Sequence, residues 1–186
     1  GALRLCVCGG ADARSGVFPE QQPAKVIAFA RARLEHPNAG VRVAALEVLG
    51  RVLQRGDVSL VAELCARLED DAWEVRQALV RTLGLVTEKG NALVADEVRG
   101  RLEHAEGRIR QTAVQACGEV AAKHDRWAVD ALCARLEDSE YGVRFAAVDA
   151  LGKVADKDAH AAAAVTALCS HPSEPVRKAA QMALNK

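Results

Sequence analysis

One dipeptide recurs through this chain at a near-constant interval. Val41-Arg42, Val75-Arg76, Ile109-Arg110, Val143-Arg144 and Val176-Arg177 are separated by 34, 34, 34 and 33 residues. A fixed period of this size marks an array of small supersecondary units, none of which can bury its apolar face alone. In the second unit, Val58, Val61, Leu64, Cys65 and Leu68 follow the i, i+3, i+4, i+7 spacing of an amphipathic helix. A polar turn, Asp70-Asp71-Ala72, comes next. Val75, Leu79, Leu83 and Val86 then line one face of a second helix. The fourth unit repeats the plan. Helices of about a dozen residues do not persist alone in water, so each must pack on its neighbours.

The spacing predicts an all-α fold of five helix pairs, with units at approximately 19–53, 57–87, 91–122, 126–155 and 158–186. Residues 1–18 fall outside the repeat. Ala2 to Cys8 reads as the last turns of a preceding, truncated unit, ended by Gly9-Gly10 and followed by a connector that holds Phe18. The chain is therefore expected to be part of a larger polypeptide. Gly50, Gly84, Gly118 and Gly152 share one position inside the second helices. Glycine there costs roughly 1 kcal/mol of helix propensity. Either a neighbouring helix passes close by, or the helix ends early. A longer period of 68 residues also shows. Arg33-Leu34-Glu35-His36 matches Arg101-Leu102-Glu103-His104, and Cys-Ala-Arg-Leu-Glu-Asp occurs at both 65–70 and 133–138.

Aromatic residues make up only 3% of the chain, so Ala, Val and Leu must fill the core. Lys plus Arg equals Asp plus Glu, at 25 each. A balanced charge argues against nucleic acid or an anionic membrane as partner, and no apolar run is long enough to span a bilayer. Cys65, Cys117, Cys133 and Cys169 take core positions of the repeat and read as small buried hydrophobes in a reducing, cytoplasmic setting. Cys6 and Cys8 lack a second pair. No nucleophile, phosphate loop or dinucleotide fingerprint is present, and no cofactor or metal is expected.

Asp138 to Gly152 reads Asp-x(4)-Val-Arg-x-Ala-Ala-x(3)-Leu-Gly. This resembles the HEAT repeat, in the short form called phycobilisome-lyase HEAT-like. The resemblance implies a right-handed α-α superhelix whose second helices line a concave groove, and a scaffold or protein-binding role. It also implies an alternative, an enzyme or enzyme subunit of the bilin-lyase kind. Di-iron HEAT-repeat hydroxylases bind metal through His-Glu pairs. Here the order is reversed, Glu35-His36 and Glu103-His104, and packed-helix spacing holds these two layers on the order of 20 Å apart.

The recurring arginines, Arg42, Arg76, Arg110, Arg144 and Arg177, are expected to form a ladder onto turn carbonyls or carboxylates of adjacent repeats, with Asp70 and Asp138 as acceptors. Six residues before each arginine stand His36, Asp70, His104, Asp138 and His171. These are polar turn residues, or a pH-sensitive row in which protonated His gains from nearby Asp. On a helical wheel with the Val or Ile at zero, positions 0, +4, +8 and +11 are core, and −2, +2 and +6 face away. The outward residues are Trp73, Gln77 and Arg81, then Gln111 and Gln115, then Tyr141, Phe145 and Asp149. They are expected to contact a protein or peptide partner. Trp127 and Phe29, on first helices, are expected in or near the core.

Overall fold

A computed structural model describes residues 23–185. The connector with Phe18, and Cys6 and Cys8, lie outside the described residues. The ten described α-helices form five pairs: α1 (Pro23–Arg31) with α2 (Ala39–Val52), α3 (Val61–Cys65) with α4 (Trp73–Val86), α5 (Ala92–Arg99) with α6 (Gly107–Val120), α7 (Arg126–Arg135) with α8 (Tyr141–Val154), and α9 (Ala159–Leu168) with α10 (Glu174–Leu184). The second helices α2, α4, α6, α8 and α10 stack in sequence as one layer, and each first helix packs on its own partner. The result is an α-α solenoid.

The core lies between the layers and follows the wheel. Val75, Leu79, Leu83 and Val86 are each 0% exposed. The equivalent Ile109, Ala113, Cys117 and Val120 are buried, as are Val143, Ala147, Leu151 and Val154. Small side chains at intermediate positions let second helices approach sideways. Thr82 donates to the Leu46 carbonyl at 3.1 Å, and Ala150 lies against Gly118. The recurring glycine sits inside α2, α4, α6 and α8, so it does not end them. Its steric role differs by repeat. A Cβ on Gly118 would lie 2.9 Å from the Ala150 Cβ and 3.0 Å from its Cα. On Gly50 it would meet only Leu85 and Thr82 side chains at 3.5 Å.

The first helices are shorter than the periodicity predicts. α3 has five residues and passes into a 3₁₀ turn, Ala66–Glu69. Similar i→i+3 bonds close the others, such as Leu34 N–H to Arg31 O and Leu102 N–H to Arg99 O. Tightening the last turn bends the chain into the second helix. Val58 falls before α3 and is exposed. Phe29 is also a correction. It is 61% exposed, because α1 turns Ala30 inward and leaves Phe29 under the Arg33 guanidinium, 3.2 Å from the ring centroid. Trp127 is half-buried.

The arginines tie the turns. Each Nη1 donates to the two carbonyls five and six residues back: His36 and Pro37 for Arg42, Asp70 and Asp71 for Arg76, His104 and Ala105 for Arg110, Asp138 and Ser139 for Arg144, His171 and Pro172 for Arg177. Three arginines also reach the following repeat, Arg76 by donating from Nε to Thr112 Oγ1 at 3.2 Å and the other two by gripping a carboxylate. Arg42 binds Asp70 through Nε and Nη2 at 2.8 and 2.7 Å, and Arg110 binds Asp138 at 2.8 and 2.8 Å. These carboxylates serve the preceding repeat's arginine, while Arg76 and Arg144 take only their backbone carbonyls. Burial works against the Asp138 charge, but Arg110 and the Glu140 N–H outweigh it and hold the carboxyl below its ordinary range.

The histidines in this row do the work of the aspartates. Nδ1 of His36, His104 and His171 accepts the N–H of Asn38, Glu106 and Ser173, each at 3.1 Å. Asp70 and Asp138 accept the equivalent N–H of Ala72 and Glu140 at 2.9 Å. His and Asp thus fill one and the same place in the turn, as acceptors of the N–H two residues on.

Two results test this packing. Gly118→Ala is expected to lower stability by about 1–3 kcal/mol, since backbone must shift. Gly50→Ala is expected to change it little or raise it by up to roughly 1 kcal/mol; denaturant midpoints that fail to separate the two would contradict the packing. Arg76 is 5% exposed, and His104 stands where the Arg42 and Arg110 clamps have a carboxylate. Burial, then the neighbouring Arg108, disfavours the Arg76 charge. His104→Asp keeps the turn acceptor and supplies the missing anion, so urea unfolding should show a gain of about 1–3 kcal/mol. A loss would mean that the alternation in clamp chemistry has another cause.

Candidate functional site

The second-helix layer exposes a stripe that the repeat does not fix. It runs along positions −2, +2 and +6, opposite the core positions. On α4 these are Trp73, Gln77 and Arg81; on α6, Gly107, Gln111 and Gln115; on α8, Tyr141, Phe145 and Asp149. Trp73 is 59% exposed, Tyr141 69% and Phe145 49%. Rings this open on a chain with so few aromatics are not needed for the core.

The polar members are ordered by one another. Gln77 Nε2 donates to Gln115 Oε1 at 2.7 Å, bridging α4 and α6. Gln111 lies over Gly142, where an added Cβ would come within 2.7 Å of its Oε1. Gly107 leaves room for Glu140 in the same way, at 2.5 Å from its Cγ. Asp149 pairs with Lys153 at 3.1 Å, and Lys153 with Glu119 at 2.8 Å. Burial opposes the Lys153 charge, but bonds to Glu119 and then Asp149 prevail and raise its pKa. Asp149 is thus committed within the stripe, and Arg81 stays exposed.

The aromatic members divide into two groups. Tyr141 and Phe145 form a stacked pair with centroids 6.1 Å apart and planes at 27°. They open onto a groove of about 310 Å³ between α8 and α10, whose other wall is Pro175, Ala179 and Met182. Its lining is mainly apolar, with Arg144, Glu174 and Lys178 at the edge. Lys178 pairs with Glu174 at 2.7 Å. Trp73 stands two repeats away on α4 with the exposed Arg81 and Leu85.

Sequence reasoning missed Met182, Pro175 and Leu85. The signal for two of them was present. Met182 is position +6 of the fifth unit, and Leu85 is +10 of the second, one helical turn beyond the positions considered.

The described cysteines do not supply a reactive group to this face. Burial pushes the thiols of Cys65 and Cys117 up to about 12 and that of Cys133 to about 11, so they stay protonated. Cys169, at the end of α9, donates to the Val165 carbonyl at 3.7 Å. Among the described residues no group of three or more His, Cys, Asp or Glu is placed to hold a metal ion. No described helix is long and apolar enough to cross a membrane.

Comparisons with known proteins agree with the architecture. The chain is similar in fold to the CpcE–CpcF complex of the phycocyanin lyase from Nostoc sp. PCC7120, at 18% identity, covering 86% of this chain and 98% of that one, with a TM-score of 0.59. It is also similar to an engineered protein, at 20% identity over 86% of this chain and 79% of that one, with a TM-score of 0.52. No curated protein sequence matches. A family model described as HEAT repeats matches residues 27–117 and 95–185. With the helix pairs, the repeated core and this match together, the chain belongs to the HEAT-repeat family.

Proposed function

We propose that the chain is a non-catalytic binding module that recognises a protein segment along the second-helix face. The observation that carries this reading is the exposed Tyr141–Phe145 pair at the mouth of an apolar groove completed by Met182. Large amphipathic rings over an apolar slot are the usual anchors of protein recognition, because they bury area at small cost in side-chain entropy. The Gln77–Gln115 bridge, Gln111 and Arg81 offer polar register farther along the layer, and Trp73 a second apolar contact.

The layer is supported from beneath by buried helix positions and by the arginine-bound turns. A partner therefore meets a preformed surface and bears little of the ordering cost. The likeness to a phycocyanin lyase is one of fold. Catalysis on this face would need a reactive side chain, and the stripe described above offers amides, rings and paired charges.

The test is capture of partners from a lysate, followed by titration of the captured protein. Phe145→Ala and Tyr141→Ala should each weaken binding by about 30-fold or more, as expected of central anchors. Trp73→Ala should weaken it if the partner spans the layer. Far-ultraviolet circular dichroism should stay unchanged, since all three rings are exposed. Unchanged affinity in a folded Tyr141→Ala, Phe145→Ala double variant would reject the groove as the site.

A further inference from the structure

The 68-residue period of the sequence has a counterpart on the first-helix layer, which faces away from the site proposed above. There α3 packs on α5 and α7 on α9. Between α1 and α3, and again between α5 and α7, lies a groove. The two are copies. Arg67 Nη1 donates to the Leu34 carbonyl at the base of the first, 3.1 Å, and Arg135 Nη1 to the Leu102 carbonyl at the base of the second, 2.7 Å. Arg31 and Arg99 occupy equivalent places on α1 and α5, as do Ala66 and Ala134 opposite them.

Several residues differ between the copies, Ile27, Ala28 and Ala62 having Ala95, Asp96 and Asp130 as counterparts, and two further differences bear on what the grooves hold. In the second groove Trp127 lies against the wall, with the Arg99 guanidinium 4.3 Å from its ring centroid. The equivalent position 68 residues earlier is Ser59, which brings no ring. The second groove has a volume of about 460 Å³ and the first about 910 Å³. Without a ring to cover, Arg31 reaches across to Glu63, Nε to Oε2 2.7 Å, where the second groove has Ala131. That pair is 56% and 39% exposed, so it is cheap to break. Arg67 also lines the first groove, and its Nε is buried with no acceptor among the described residues.

We propose that the groove between α1 and α3 receives an aromatic side chain from a partner polypeptide, seated where Trp127 sits in its copy. The occupant is an indole or phenyl ring carried on a peptide. The ring fills the apolar wall of Ile27, Ala28 and Ala62. Arg31 leaves Glu63 to stack on the ring, as Arg99 does on Trp127.

The chain has two isoleucines, Ile27 in this groove and Ile109 buried in α6, and they make the test clean. Full-length protein labelled at isoleucine methyls is titrated with N-acetyl-tryptophanamide and, as control, N-acetyl-alaninamide. The tryptophan probe should shift the Ile27 signal saturably and leave Ile109 in place, and the alanine probe should shift neither. Ser59→Trp fills the groove from within and should weaken the response at least tenfold, and Arg31→Ala should weaken it about threefold. Ile109 reports whether each variant keeps its core. An Ile27 signal unmoved by the probe, or moved equally in Ser59→Trp protein, overturns the proposal. So does a response that appears only in Phe18→Ala protein, which would assign the groove to a segment of this chain.

Discussion

The structure depends on the close sideways stacking of its second helices. No described helix exceeds 14 residues, and α3 has only five, so none has a stable existence apart from its neighbours. Alanine, threonine and glycine between the large core residues let α2, α4, α6 and α8 come together, closely enough at Gly118 that a single methyl has no room. The arginine that opens each second helix then holds the turn before it. In two of the interfaces it also reaches forward to a buried carboxylate. Packing supplies most of the free energy, and the clamp selects one register of turn against helix.

This arrangement separates frame from surface. Positions 0, +4, +8 and +11, and the arginine, barely change from unit to unit. Positions −2, +2 and +6 vary, from Trp, Gln and Arg to Gly, Gln and Gln and then to Tyr, Phe and Asp, with only the Gln at +2 shared by two of these units. Substitution there leaves the core and the turn bonds alone. A repeat protein can therefore vary what it presents without re-solving how it folds. The outer layer shows the same economy at a period of two units, where one groove contains Trp127 and its copy has Ser59.

The fold was legible because it is written five times. One amphipathic stretch is ambiguous, but a Val-Arg pair returning every 34 residues fixes helix phase and hence the buried face. Trp73, Tyr141 and Phe145 were placed on the outward stripe by that phase alone. What depends on contact geometry was not legible. Phe29 has a core-like side chain, yet its exposure follows from how α1 turns toward α2. The alternation of His and Asp before the arginines is plain in the sequence, and only the Nδ1 contacts show that both residue types accept the same turn N–H. The groove at Tyr141 and Phe145 needs Met182 and Pro175 from the next unit, a contact across helices that no single-helix wheel displays. Nor does glycine spacing say that Gly118 is sterically required and Gly50 is not.

The claim that the arginine clamp fixes repeat to repeat is tested most directly by a double-mutant cycle on Arg110 and Asp138, whose side chains are 13% and 4% exposed. Arg110→Ala, Asp138→Ala and the double variant are unfolded in urea, and the coupling is taken from the three changes in stability. A buried bidentate pair should give a coupling of about 1.5–3 kcal/mol, with each single variant nearly as unstable as the double. Additive losses, with a coupling within about 0.3–0.5 kcal/mol of zero, would mean that helix stacking alone sets the register and that the clamp only decorates it.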